Sequence, residues 1–96
     1  MITQEDIVKV VVDYYNVSYK DVLVKYNHEY PECIAKDLII YLYRHTLHMK
    51  ITEIARHFKM TPRNIGYRIK HLNSKLSGKS KLASEYKEII EILTKK

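Results

Sequence analysis

Residues 51–76, ITEIARHFKMTPRNIGYRIKHLNSKL, leave this chain few folds to choose from. Ile54, Ala55 and Phe58 recur at helical spacing and mark the apolar face of a short first helix. Met60 follows in a turn, with its side chain pointing inward. Thr61 is placed to cap a second helix with its hydroxyl. Pro62 suits the first helical position, where a backbone N–H needs no partner. From there Ile65, Ile69, Leu72 and Leu76 recur at steps of four, three and four, which makes one buried stripe. At about 100° per residue the opposite face carries Arg63, Tyr67, Lys70, His71 and Ser74, with Asn64 and Arg68 on its flanks. That face holds no acid. The pattern predicts a helix-turn-helix over about 51–76 whose second helix offers a basic face. Gly66, inside that helix, costs about 1 kcal/mol relative to alanine, and close approach of another helix or of backbone would justify it.

The remaining sequence extends the helical reading. Two glycines and two prolines in 96 residues leave little room for β-turns, and no segment alternates for long. The chain therefore reads as all-α, with about six helices. At 46% apolar it can build the core of a single domain spanning residues 1–96. Thr3 and Asp6 form a capping box for a first helix, along which Ile7, Val8, Val11, Val12 and Tyr15 make an apolar stripe. Asn16 can end that helix in the left-handed conformation. Ser18 and Asp21 repeat the box for a short helix over about 19–24, with Val17, Val22 and Leu23 packing inward. Residues 25–32 read as a loop. A long helix over about 32–48 carries Ile34, Ala35, Leu38, Ile39, Tyr41, Leu42 and Leu47, too broad a stripe for one neighbour, so it should be central. After the polar break at 77–80, Leu82, Tyr86, Ile89, Ile90 and Leu93 form a last amphipathic helix.

Composition bounds the setting. A single cysteine, Cys33, excludes an internal disulfide and fits a reducing cytoplasm. The longest apolar run, 38–43, is too short to span a bilayer, and Glu5 and Asp6 argue against a signal peptide. The formal net charge of +6 is unevenly placed. Residues 49–81 hold nine Lys or Arg against Glu53 alone, while residues 1–48 carry more acid than base. The basic excess thus coincides with the helix-turn-helix and the loop after it, a distribution suited to a phosphate backbone through counterion release. A solvated face, or a basic surface that meets an acidic protein, would share this pattern.

Signals of catalysis are thin. Gly78-Lys79-Ser80 imitates the end of a phosphate-binding loop, but Asn73 stands where its first glycine belongs and no strand precedes it. His45 and His48 lie three apart with no cysteine or carboxylate to complete a metal site. Cys33 has no sequence neighbour that would lower its thiol pKa. Tyr14, Tyr15 and Tyr41 fall on core-facing positions, whereas Tyr67 falls on the exposed basic face. No cofactor, metal or enzyme chemistry is expected.

The order of elements resembles the C-terminal DNA-binding domain of the bacterial replication initiator DnaA, a Trp-repressor-like helix-turn-helix domain. Where that family has a Tyr-Tyr pair and then "V-S-x-x-D-L", this chain has Tyr14-Tyr15-Asn16-Val17-Ser18-Tyr19-Lys20-Asp21-Val22-Leu23. The family's long helix "A-R-Q-I-A-M-Y-L-x-R" meets Ala35-Lys36-Asp37-Leu38-Ile39-Ile40-Tyr41-Leu42-Tyr43-Arg44, and its "L-x-E-I-G-x-x-F" meets Ile51-Thr52-Glu53-Ile54-Ala55-Arg56-His57-Phe58. The likeness runs over roughly residues 4 to 94. The base-reading signature "G-G-R-D-H-T-T-V" is not retained: Lys59-Met60-Thr61-Pro62-Arg63-Asn64-Ile65 stands there, one residue shorter, and this chain's counterpart of the family's basic loop lacks the arginines. The resemblance implies binding of double-stranded DNA and a role in replication initiation. A regulator of transcription on the same scaffold, with another DNA site, is the alternative. Arg63, Asn64 and Tyr67 are the expected base readers, by bidentate Arg–guanine and Asn–adenine geometry for the first two. Lys59, Thr61, Arg68, Lys70, His71 and Lys75 are expected on phosphates, with Lys50 and Lys36 as further candidates, Lys36 through its match to a phosphate-binding arginine of the family.

Overall fold

A computed structural model describes residues 2–23 and 31–95. It holds α1 (Gln4–Tyr15), α2 (Tyr19–Val22), α3 (Glu32–His45), α4 (Ile51–Phe58), α5 (Pro62–Leu76) and α6 (Lys81–Thr94), and no strand among the described residues. The all-α expectation is met, with six helices among those residues. Most of the expected loop at 25–32, and Val24, lie outside them.

Local chemistry sets most helix starts. The Thr3 hydroxyl accepts from the Asp6 N–H at 3.2 Å while the Asp6 carboxylate accepts from the Thr3 N–H at 3.0 Å, a complete capping box. Ser18, Thr61 and Ser80 accept from the N–H three residues on, at 3.2, 3.1 and 3.1 Å. At α4 the cap is one-sided: Glu53 accepts from the Lys50 N–H at 3.4 Å. Asn16 ends α1 at φ 54°, with the Val17 N–H reaching back to the Val12 carbonyl at 3.0 Å.

α3 is the centre of the molecule. It touches α1, α2, α4 and α5, and from Ala35 to Tyr43 every residue but Asp37 is buried. Ile7, Val10 and Val11 of α1, Val22 of α2, Ile54, Ala55 and Phe58 of α4, and Ile65 and Leu72 of α5 close around it. Each fully buried Leu or Ile contributes about 1.5–3 kcal/mol relative to exposure. α6 lies against α1 and α5 and adds Ile89 and Leu93. Tyr14 hydrogen-bonds Glu88, Tyr15 donates to Glu85 at 3.3 Å, and Tyr86 meets the Tyr41 ring edge-on.

Three expectations shift. α3 stops at His45 rather than 48, because His48 takes φ 57° and the Met49 N–H turns back to the Tyr43 carbonyl at 3.1 Å. That reversal starts α4. The α1 stripe is rotated, so Val10 is buried while Val8 and Val12 are only half-buried. Leu23, expected inward, is 38% exposed where the chain leaves the short α2. Among the described residues no helix is long and apolar enough to cross a membrane.

Candidate nucleic-acid interface

Residues 59–61 join α4 to α5, and their geometry sets how α5 is presented. Lys59 is left-handed at φ 56°, ψ 44°; its N–H donates to Arg56 O at 3.3 Å, and the Met60 N–H donates to Ala55 O at 2.9 Å. This pair of bonds is a Schellman motif that ends α4 abruptly. Met60 is then drawn against the core, as its sequence position suggested. One residue later Thr61 caps α5 and Pro62 opens it.

Ile65 and Leu72 anchor α5 in the core, and the side away from them is open to solvent. Arg63, Asn64, Tyr67, Lys70, His71, Ser74 and Lys75 are all exposed there, as are Lys50, Lys59 and Thr61 around the turn and the start of α4. No acid stands on α5. Of the nine Lys or Arg in 49–81, only Arg68 forms an ion pair among the described residues. Tyr67 is 68% exposed, with its ring parallel to that of His71, 6° between planes and 5.9 Å between centroids.

Two expected phosphate contacts are corrected. Lys36 is 1% exposed. It lies on α3, whose neighbours leave that helix almost no solvent face, and burial followed by the charge of Arg68 holds its ammonium below the usual lysine range. It cannot meet a phosphate. Arg68 is also turned from the open face. Its Nη1 donates to Asp37 Oδ1 at 2.6 Å across the α3–α5 contact, and the two side chains are 19% and 21% exposed. Arg68 falls three residues after Ile65 and four before Leu72, so it shares their side of the helix. Desolvation raises the Asp37 carboxyl above its ordinary value despite the opposing pull of Arg68. The pair fastens α5 to α3.

In place of these two the fold sets Arg44 and His45, for which the sequence predicts no DNA contact, beside Lys70. A hollow of about 210 Å³ opens between the end of α3, the start of α4 and the flank of α5, lined by Arg44, His45, Ile51, Gly66, Ile69, Lys70 and Asn73. Three of these residues are basic or titratable to cations, and none is acidic. Gly66 forms part of its wall, and a Cβ added there would meet nothing within 4 Å. The expectation that close packing explains this glycine therefore fails: the space beside it is open. Arg44 is steadied by its Nη1 bond to the Met49 carbonyl at 2.9 Å. His45 is kept below the ordinary histidine range by burial first, then by Arg44 and His48. The available clue was Gly66 itself, a glycine in the interior of a helix.

Among the described residues no group of three His, Cys, Asp or Glu could hold a metal ion. Cys33 is a half-buried free thiol. The fold and this surface together define an all-α domain whose α5 displays a basic outer face that forms no ion pair among the described residues. Comparison with known protein families, curated proteins and solved structures finds no match for the chain.

Proposed function

We propose that this chain binds double-stranded DNA, with α4 and α5 acting as a helix-turn-helix and α5 entering the major groove. The observation that carries the reading is the exposed face of α5, where Arg63, Asn64, Tyr67, Lys70 and His71 stand together with no acid. At 15 residues α5 is roughly 22 Å long, enough to lie across a groove about 12 Å wide. Arg63 and Asn64 occupy its first turn, the part of a recognition helix that meets base edges. Arg63 takes guanine O6 and N7, and Asn64 takes adenine N6 and N7. Lys50, Lys59, Lys70, His71 and Lys75 hold phosphates; the Thr61 hydroxyl, already accepting from the Asn64 N–H, keeps its own proton to donate to one. Arg44 and His45, with Lys70, offer a further phosphate position at the flank.

The resemblance to the initiator's DNA-binding module favours a role in replication in the cytoplasm, and the altered entry to α5 favours a DNA site of its own. A transcriptional regulator satisfies the same surface. Nothing in the site calls for catalysis, and we read the chain as a binding module, not an enzyme.

Selection of bound duplexes from a random pool at two salt concentrations tests the reading. An enriched motif that loses affinity steeply with salt is the expected result. Arg63→Ala should then cost about 1–3 kcal/mol and relax preference at one base, while Lys70→Ala weakens all sequences alike. Binding without sequence preference would remove the base readers and leave backbone affinity alone. No binding to any duplex would defeat the proposal and turn attention to an acidic protein partner.

A further inference from the structure

The described residues expose three large hydrophobic side chains, Leu23, Tyr67 and Ile92, and only Tyr67 lies on the basic helix pair. Its position sharpens the question of what it meets. Arg63 precedes it by four residues and Lys70 follows by three, so the ring sits between two cations on one face. Long side chains on a helix lean toward its N-terminus, which carries the ring toward the Arg63 turn and the end of α5 that approaches base edges. The parallel contact with His71 restrains the ring beforehand, so less side-chain freedom is lost when it docks. A duplex offers an aromatic face in that position few apolar partners. The floor of the major groove presents hydrogen-bonding edges and a single kind of apolar group, the C5 methyl of thymine. Cytosine carries a methyl at the same ring position only when it is methylated.

Resting on the DNA-binding reading, we infer that Tyr67 is a specificity-determining residue that packs its ring on the C5 methyl of one pyrimidine, and so selects thymine over unmodified cytosine at that place in the site. The phenol hydroxyl is not required for this contact. His71 acts as a positioning residue through the stack.

The test uses the selected duplex, with each thymine replaced in turn by deoxyuridine, which removes the methyl and keeps the Watson–Crick edge. Wild-type protein should show one thymine whose replacement weakens binding about fourfold, the worth of one buried methyl-sized group. Tyr67→Ala should bind the thymine and deoxyuridine duplexes equally, and Tyr67→Phe should keep the difference. A duplex with 5-methylcytosine paired to guanine at that position should bind the wild type more tightly than its cytosine counterpart. Sequence-specific binding with no methyl-sensitive position, or sensitivity that survives in Tyr67→Ala, overturns this inference and leaves the DNA-binding reading standing. Absence of sequence-specific binding overturns both.

Discussion

Exchanging glycine and alanine at residues 59 and 66 should produce opposite effects on stability. Lys59 ends α4 in the left-handed region at φ 56°, where an L side chain crowds the following carbonyl at about 1–2 kcal/mol. Glycine escapes that crowding and loses about 0.5–1 kcal/mol through the greater freedom of its unfolded chain. Among the described residues the exposed Lys59 side chain forms no ion pair, and both turn hydrogen bonds come from backbone, so the substitution acts chiefly through the backbone. Lys59→Gly should therefore be more stable than Lys59→Ala by about 1 kcal/mol, or about 4–8 °C in Tm for a domain of this size. Both variants lose the lysine's charge near the C-terminal end of the α4 dipole, so their difference isolates the backbone. At residue 66 the order reverses. Gly66 is helical with open space at its Cβ position, and Gly66→Ala should gain about 1 kcal/mol. Urea and thermal unfolding of the three variants and the wild type provide the measurement. If alanine equals or exceeds glycine at residue 59, the left-handed turn, and with it the presentation of α5, is wrong.

Further outcomes follow from the same geometry. Gly66→Ala, while more stable, narrows the hollow beside Arg44, His45 and Lys70 and should weaken DNA binding in a titration at fixed salt; unchanged affinity would remove the flank as a phosphate position. Thr61→Ala loses the hydroxyl that accepts from the Asn64 N–H and should cost about 1 kcal/mol by denaturant unfolding. His45 has a folded pKa below its ordinary 6.5, so the unfolded chain takes up its proton more readily; its contribution is fully present above about pH 6.5 and is lost as pH falls from there through the lower folded value. His45→Gln should flatten that part of the stability–pH curve. An anion in the hollow favours the protonated ring, so duplex binding by the wild type should take up protons and tighten on mild acidification more than binding by His45→Gln. Calorimetry in buffers of different ionisation enthalpy reads this directly.

Much of the helical scaffold could be read along the chain because its causes are local. Thr3, Ser18 and Thr61 cap helices by accepting from N–H groups three residues away, and Asn16 ends one by its own tolerance of positive φ. Ile65 and Leu72 declare the inner side of α5 by spacing alone, which is why Arg63, Asn64, Tyr67 and Lys70 could be assigned to its open side. Lys59 was harder to read, since a lysine gives no hint of a left-handed turn that glycine usually fills.

What the chain could not declare in one dimension is which charges meet water. Lys36 looks like any lysine on a helix, yet four neighbouring helices enclose α3 and bury it. Arg68 is flanked in sequence by the open face, but Asp37, 31 residues away, draws it inward. Arg44 and His45 gain their place beside Lys70 only because α3 stops at His45 and α4 turns back against α5. Periodicity and capping act over about four residues, so sequence determines the helices and their inner faces. Burial, ion pairing and the hollow at Gly66 depend on segments that only the tertiary fold brings together, and these decide which residues of the basic stretch are free to bind.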